Sequence, residues 1–217
     1  MRTFQLPTPI RGLILDIDNT LYANREYSRH QVDVLFSRLA EYLGEDEDSV
    51  RPRVSSEQLR IGAEQGLPSG AKTSLGNAFQ SFGVSIDENA RWRAELIHPE
   101  HFLAEDPMLR EALERLAARY SLVCVTNNPQ SIGRRTLDAL GVAHIIPRVI
   151  GLDTSGRSKP DPTPFVLGAE ALGLAVASCV SVGDRIDVDI RPMLDLGGGG
   201  ILCEGLDDMY RLPETLE

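Results

Sequence analysis

Residues Leu13–Ile14–Leu15 form a short apolar run that stops abruptly at Asp16–Ile17–Asp18. An apolar run this short, closed by polar residues, predicts a strand buried on both faces, as in a parallel sheet covered by helices. Side chains alternate along a strand, so Asp16 and Asp18 point to one side while Ile17 enters the packing. Two carboxylates there repel each other unless a cation lies between them, and α/β sheets bind ligands at this edge. The plainer alternative is an acidic turn that caps the next helix through Asn19 or Thr20. A calcium loop fails: it wants Asp or Asn at 20, Gly at 21 and Glu at 27, where the chain has Thr20, Leu21 and Tyr27.

The segment after this strand is helical in pattern. Val32, Leu35, Phe36, Leu39 and Leu43 recur at three- and four-residue spacing, predicting a helix from Glu26 to Leu43 that ends at Gly44. The acidic cluster Glu45 to Asp48 suits a solvated helix start. Residues 49–97 continue as helical segments broken at Gly66–Leu67–Pro68–Ser69–Gly70 and at Gly83, with Phe79 and Trp92 as their core. His98–Pro99–Glu100–His101 reads as a return linker with surface histidines, because proline breaks a helical pairing of the two rings. Asp106–Pro107 then opens a helix with Leu109, Leu113 and Leu116 as its buried stripe.

From there strands alternate with helices. Strands are expected at 122–125, 148–152, 179–182 and 201–203, with helices up to Leu140, over 162–172 and over 187–196. Gly197–Gly198–Gly199–Gly200 reads as a flexible turn. This alternation implies right-handed crossovers and an α/β fold, a doubly wound parallel sheet. The expected organisation is a Rossmann-like core of residues 1–22 and 100–217, with a smaller helical cap domain, 23–99, inserted after the first strand.

A formal net charge of −10 argues against a general nucleic-acid or anionic-membrane surface. No apolar run approaches the roughly 20 residues that span a bilayer, and Met1–Ile10 lacks a signal-peptide core. The three cysteines, Cys124, Cys179 and Cys203, have no zinc spacing and read as buried free thiols of a cytoplasmic protein.

Three predicted strands end in polar residues: Asp16/Asp18, Thr126/Asn127, and Asp184 with Asp187 and Asp189 beyond. Lys159 lies in a stiff proline-bracketed loop at a helix start, Ser158–Lys159–Pro160–Asp161–Pro162. A helix cap, an exposed lysine and a turn explain these features one at a time. Jointly they put carboxylates, a hydroxyl and an ammonium at one sheet edge. Carboxylates from two strand ends suit Mg²⁺, which binds through a few carboxylates plus phosphate. A carboxylate attacks phosphorus to give an acyl phosphate, and a second carboxyl two residues on can move the protons. A threonine hydroxyl and a lysine ammonium supply donors for phosphoryl oxygens.

On these residues the chain resembles the haloacid dehalogenase superfamily from about Arg11 to Cys203. Asp16-Ile17-Asp18-Asn19-Thr20 is similar to its first motif, which implies Asp16 as nucleophile and Asp18 as acid/base. Val125-Thr126-Asn127 is similar to the second, implying phosphate binding by Thr126 and Asn127. Lys159 in Ser158-Lys159-Pro160 is similar to the third, with a role in phosphate binding and catalysis. Gly183-Asp184 with Asp189 is similar to the fourth, and Asp187 offers a competing register. The resemblance implies Mg²⁺ held by Asp16, the Asp18 backbone carbonyl and Asp184, with Asp189 or Asp187 behind them. The helical insertion is similar to the family's C1-type cap, which closes over the site and selects substrate. With Asp18 and Asp184 both present, the expected activity is Mg²⁺-dependent hydrolysis of a small phosphorylated metabolite. A 2-haloacid dehalogenase, a phosphomutase and a non-catalytic scaffold are the alternatives. Asp16-Ile17-Asp18-Asn19-Thr20-Leu21-Tyr22 with Thr126-Asn127-Asn128 is similar to the branch of pyrimidine 5′-nucleotidases, and phosphoglycolate and sugar-phosphate phosphatases share nearly the same features.

Overall fold

The computed structural model of the chain describes residues 1–216 and opens on a short edge strand, β1 (Arg2–Phe4), ahead of the apolar run. That run forms β2 (Gly12–Leu15), buried at every position. Then come α1 (Arg25–Leu43), α2 (Glu47–Glu64), α3 (Leu75–Gln80) and α4 (Ile86–Leu96). A 3-10 turn at Pro99–His101 leads to α5 (Pro107–Ala117), β3 (Ser121–Val125), α6 (Gln130–Ala139), β4 (Val149–Ile150), α7 (Leu152–Ser155) and α8 (Thr163–Leu172), which a second 3-10 turn at Val176–Ser178 follows. The chain closes with β5 (Cys179–Gly183), a π-helical turn at Ile186–Ile190, α9 (Arg191–Asp195), β6 (Gly199–Leu202) and α10 (Leu206–Thr215).

The strands form one sheet in the order β1-β6-β5-β2-β3-β4. β2 pairs in parallel with β3 on one side and β5 on the other. β1 alone runs antiparallel, along β6, so the otherwise parallel sheet carries one reversed edge strand. β2 is therefore the point from which successive strands are laid down in opposite directions, and the crevice at its carboxyl end is the ligand position for such sheets. Burying leucines such as Leu13 and Leu15 completely contributes about 1.5–3 kcal/mol each. Ile14, Val123, Val125, Phe165, Ala169, Cys179 and Met193 pack as one cluster against the sheet.

The chain divides into two compact units, Met1–Asn24 with His98–Glu217, and Arg25–Ile97. The second unit is all helical, and its core joins Leu35, Phe36, Leu39, Val50, Val54, Phe79 and Trp92. Ser74 and Ser85 cap α3 and α4 by accepting from the backbone N–H groups of Asn77 and Glu88, 3.1 Å in each case. In the first unit, Asp106 caps α5 through Met108 N–H and Leu109 N–H, both 3.0 Å.

The structure departs from the sequence expectations at several places, the edge strand β1 among them. Leu152 starts α7 instead of ending a strand, since Gly151 accepts the first helical bonds. The expected helix at 187–196 is split, beginning as the π-helical turn. The glycine run is only partly a turn: Gly197 has φ +83°, whereas Gly199 and Gly200 lie buried in β6. A Cβ on Gly200 would fall 2.4 Å from the Ile190 side chain, so the glycine there serves close packing. α10 is an additional helix, and Met209 and Leu212 bury its apolar face. All three cysteines are free and buried. Among the described residues no helix is long and apolar enough to cross a membrane.

Candidate active site

Asp16 follows β2 directly, and its backbone N–H still bonds Val182 O of β5 at 2.8 Å. Thr126 follows β3, held by Ile150 O at 3.0 Å, and Asp184 follows β5. Because β3 and β5 flank β2, these three side chains leave the same edge of the sheet on neighbouring strands. The buried lysine completes the group. Lys159, only 2% exposed, donates to Asp16 Oδ1 at 2.5 Å and to Asp189 Oδ1 at 2.7 Å. Asp16 Oδ2 accepts a longer contact from Thr20 Oγ1, 3.4 Å.

Carboxylate oxygens of Asp16, Asp184 and Asp189 lie within 4.8 Å of one another. One ammonium serves two buried carboxylates. Burial works against ionisation at Asp189, but Lys159 and Arg185 outweigh it and hold the carboxyl below its usual range. At Asp16 burial prevails over the pull of Lys159, and the carboxyl is pushed up to about 7. Asp184 is pushed up to about 6, by burial first and then by the charge of Asp189. Lys159 stays ionised because Asp16 and Asp189 together overcome its desolvation and raise it.

Asp187 and Asp189 part company in the π-helical turn. Asp189 is fully buried, accepts Arg185 N–H at 3.0 Å and reaches Lys159. Asp187 lies 2.8 Å from the Arg191 guanidinium, one turn on, and is not part of the carboxylate cluster. The wider π turn, a feature common at functional sites, carries Asp189 inward. Gly183 makes room for it, since a Cβ there would sit 2.4 Å from Asp189 Cβ. Gly183→Ala is expected to displace Asp189 and cost about 1–3 kcal/mol. Denaturant unfolding checks this, and unchanged stability would refute the tight fit.

Asn127 is placed differently from Thr126. Its side-chain oxygen accepts Lys159 N–H at 2.7 Å and its amide donates to Lys159 O at 3.2 Å. The carboxamide thus ties the end of β3 to the lysine loop, and its side chain is engaged by protein backbone. Thr126 Oγ1 accepts Asn128 N–H at 3.1 Å and lies 3.5 Å from Asp18 Oδ2. The Asp18 carboxylate stands apart from the other three acids, half-buried, against Tyr22 and Asn128.

Sequence reasoning missed Arg185 as part of the site. Its Nε lies 3.6 Å from Asp184 Oδ1 and 3.8 Å from Asp189 Oδ2, on a half-exposed side chain. Its place directly after Gly183–Asp184 was the available signal. The donor set fits a hard divalent cation: three clustered carboxylates carry more charge than Lys159 and the half-exposed Arg185 together offset. Asp184 Oδ1 is also buried with no hydrogen-bond donor.

Comparison with known proteins gives matches over nearly the whole chain. A family model described as haloacid dehalogenase-like hydrolase matches residues 10–197. A phosphoglycolate phosphatase of Rhodospirillum rubrum is 30% identical over 186 residues, which span 80% of this chain and 71% of that one. The 5-amino-6-(5-phospho-D-ribitylamino)uracil phosphatase YigB of Escherichia coli K12 is 24% identical over 233 residues, 99% of this chain and 89% of that one. Among solved structures, a HAD phosphatase from Thermococcus onnurineus superposes with a TM-score of 0.61 at 20% identity, covering 95% of this chain and 98% of that one. A 2-haloacid dehalogenase from Pseudomonas syringae pv. tomato gives 0.56 at 21% identity, with the same coverage of 95% and 98%. At such identities the two structures share a fold with this chain, and the reaction has to come from the site.

Proposed function

We infer the reaction from one premise: the chain belongs to the haloacid dehalogenase-like hydrolase family and is a phosphatase within it. The reading is Mg²⁺-dependent hydrolysis of a small phosphomonoester through an aspartyl-phosphate on Asp16. The observation that carries it is the clustering of Asp16, Asp184 and Asp189 within 4.8 Å around a buried lysine, with Asp184 Oδ1 lacking a donor.

Asp16 attacks phosphorus, forming an O–P bond as the bond to the leaving oxygen breaks and its electron pair stays on that oxygen. Asp18 gives the leaving alcohol a proton, then takes one from the water that hydrolyses phospho-Asp16. Thr126 Oγ1 and Lys159 Nζ donate to the phosphoryl oxygens as charge builds on them. Asp16, Asp184 and the Asp18 carbonyl would hold Mg²⁺, with Asp189 behind, and a bound ion would screen the phosphate from the nucleophile. The metal-independent dehalogenase chemistry of the same superfamily has no use for a proton donor at Asp18 or for an acid at Asp184, and both are present here. The names of the relatives support phosphoglycolate and a phosphorylated ribityl compound as first substrates to try. Three free, buried cysteines support a reducing, cytoplasmic setting.

The direct test is phosphate release from phosphoglycolate, a phosphoribityl compound, nucleoside monophosphates and sugar phosphates, with Mg²⁺ and with chelator. Release that chelator abolishes is expected. Halide release from a 2-haloacid without metal would overturn the reading.

The metal's affinity carries a pH signature. A proton on Asp16, with its carboxyl up at about 7, or on Asp184, up at about 6, must leave before the ion binds. Apparent Mg²⁺ affinity is therefore expected to weaken as pH falls from about 8 to about 5.5. Metal titrations by calorimetry at several pH values measure it. A flat profile would count against these two carboxylates as ligands.

A further inference from the structure

We propose that Tyr22 and Asn128 are positioning residues that aim the Asp18 carboxylate, an inference that rests on the acid/base role of Asp18 given above. Tyr22 O–H donates to Asp18 Oδ1, and Asn128 Nδ2 donates to Asp18 Oδ2 at 3.1 Å. Both donors are nearly buried, 3% and 5% exposed, and the phosphoryl-transfer steps make no other use of them.

The local chain is built to bring them there. Asn19 adopts φ +59°, a left-handed conformation that asparagine tolerates better than most residues. Thr20 N–H and Leu21 N–H both bond Ile17 O, at 3.2 and 3.0 Å, closing a tight turn. The turn folds the chain back so that Tyr22 forms a backbone bridge beside Asp18. On the other side, Asn128 is pinned at both ends of its backbone: its N–H donates to Thr126 Oγ1 and its carbonyl accepts Leu152 N–H at 2.9 Å.

Asp18 lies beyond the end of β2, where the ladder no longer constrains it, and its side chain has two free torsions. Asn128 and, at 3.5 Å, Thr126 Oγ1 both reach Oδ2, which leaves the carboxylate plane free to turn; the Tyr22 hydroxyl gives Oδ1 its own donor, and donors on both oxygens fix the plane. Proton transfer requires a reach of about 2.6–3.2 Å to the leaving oxygen, so fixing that plane bears on the rate without any contact to substrate.

Leaving-group sensitivity separates this role from a merely structural one. An alkyl phosphate expels an alkoxide and depends on the proton from Asp18; p-nitrophenyl phosphate expels a stable phenolate and does not. Tyr22→Phe, which removes one hydroxyl, is expected to lower kcat/KM on an alkyl phosphate about 10- to 100-fold and on p-nitrophenyl phosphate less than about threefold. Asn128→Ala is expected to show the same pattern. In an Asp18→Asn background, Tyr22→Phe is expected to cost little further on either substrate, because the group it aims is gone. Equal losses on both substrates, or full additivity with Asp18→Asn, would overturn the inference while leaving the function standing. Wild-type protein that released phosphate from neither substrate would overturn both.

Discussion

Asp16→Asn is expected to reduce phosphate release by at least about 10⁴-fold, a loss of the size seen when an enzyme's nucleophile is removed. The carboxamide keeps the shape of the carboxylate but is a poor nucleophile toward phosphorus, so the first step fails. Folding is expected to survive, because Lys159 retains Asp189 at 2.7 Å as its partner. The substitution also removes one of the acids that compete for a single ammonium, which relieves like-charge crowding around Lys159. Circular dichroism and thermal unfolding should match wild type within about 1–2 kcal/mol. Incubation with substrate, then acid quench and intact-mass measurement, should show a phosphate adduct on wild type and none on the variant. Retained turnover in pure variant protein would remove Asp16 from the centre of the mechanism.

Much of this arrangement is legible in the chain because it lies on regular elements. β2 reads as a buried strand from three apolar residues, and helix signals such as Asp106–Pro107 and Gly173 stand where the structure has helix ends. The end of a strand beside its two parallel neighbours is a fixed place, so Asp16, Thr126 and Asp184 come together once the strands are recognised. The residues that sequence alone did not place are those set by tertiary contacts. The side-chain hydrogen bonds of Asn127 run to the backbone of Lys159, thirty-two positions away, a contact that no local pattern announces. The choice between Asp187 and Asp189 depends on a π-helical turn, which periodicity does not announce. β1 escapes for a similar reason: three residues make no periodic pattern, and their pairing with β6 closes over nearly the whole chain length. Gly199 and Gly200 look like loop residues in one dimension; their pairing with Val180 and Ser181 of β5 makes them strand.

Lys159→Met should produce a large loss of stability, together with loss of activity. Lys159 is 2% exposed and answers two acids, Asp16 at 5% and Asp189 at 0% exposure. Methionine fills the stem but removes the charge, leaving buried carboxylates to face one another and Asp184 across at most 4.8 Å. Breaking a buried ion pair on one side costs about 3–5 kcal/mol, and for a chain of this size each kcal/mol lowers Tm by about 2–4 °C. The half-exposed Arg185, 3.8 Å from Asp189, offsets only part of the deficit. The pH response has a definite sign. Without the lysine the Asp16 carboxyl, already at about 7, rises further. Asp189, held below its usual range by Lys159 and Arg185, loses the first of these two and is left to burial, so the folded variant takes up protons that neither the unfolded chain nor the folded wild type binds at the same pH. A carboxyl raised in the folded state costs nothing below its unfolded pKa and its full penalty above its folded one. The deficit of Lys159→Met should therefore shrink as pH falls from about 8 towards about 5, and grow again on return. Adding Asp189→Asn removes one of the stranded charges and should restore part of the stability but none of the turnover. Thermal unfolding across that pH range, with phosphate release assayed alongside, measures these effects. A deficit independent of pH would mean that lost packing, and not stranded charge, is what Lys159 prevents.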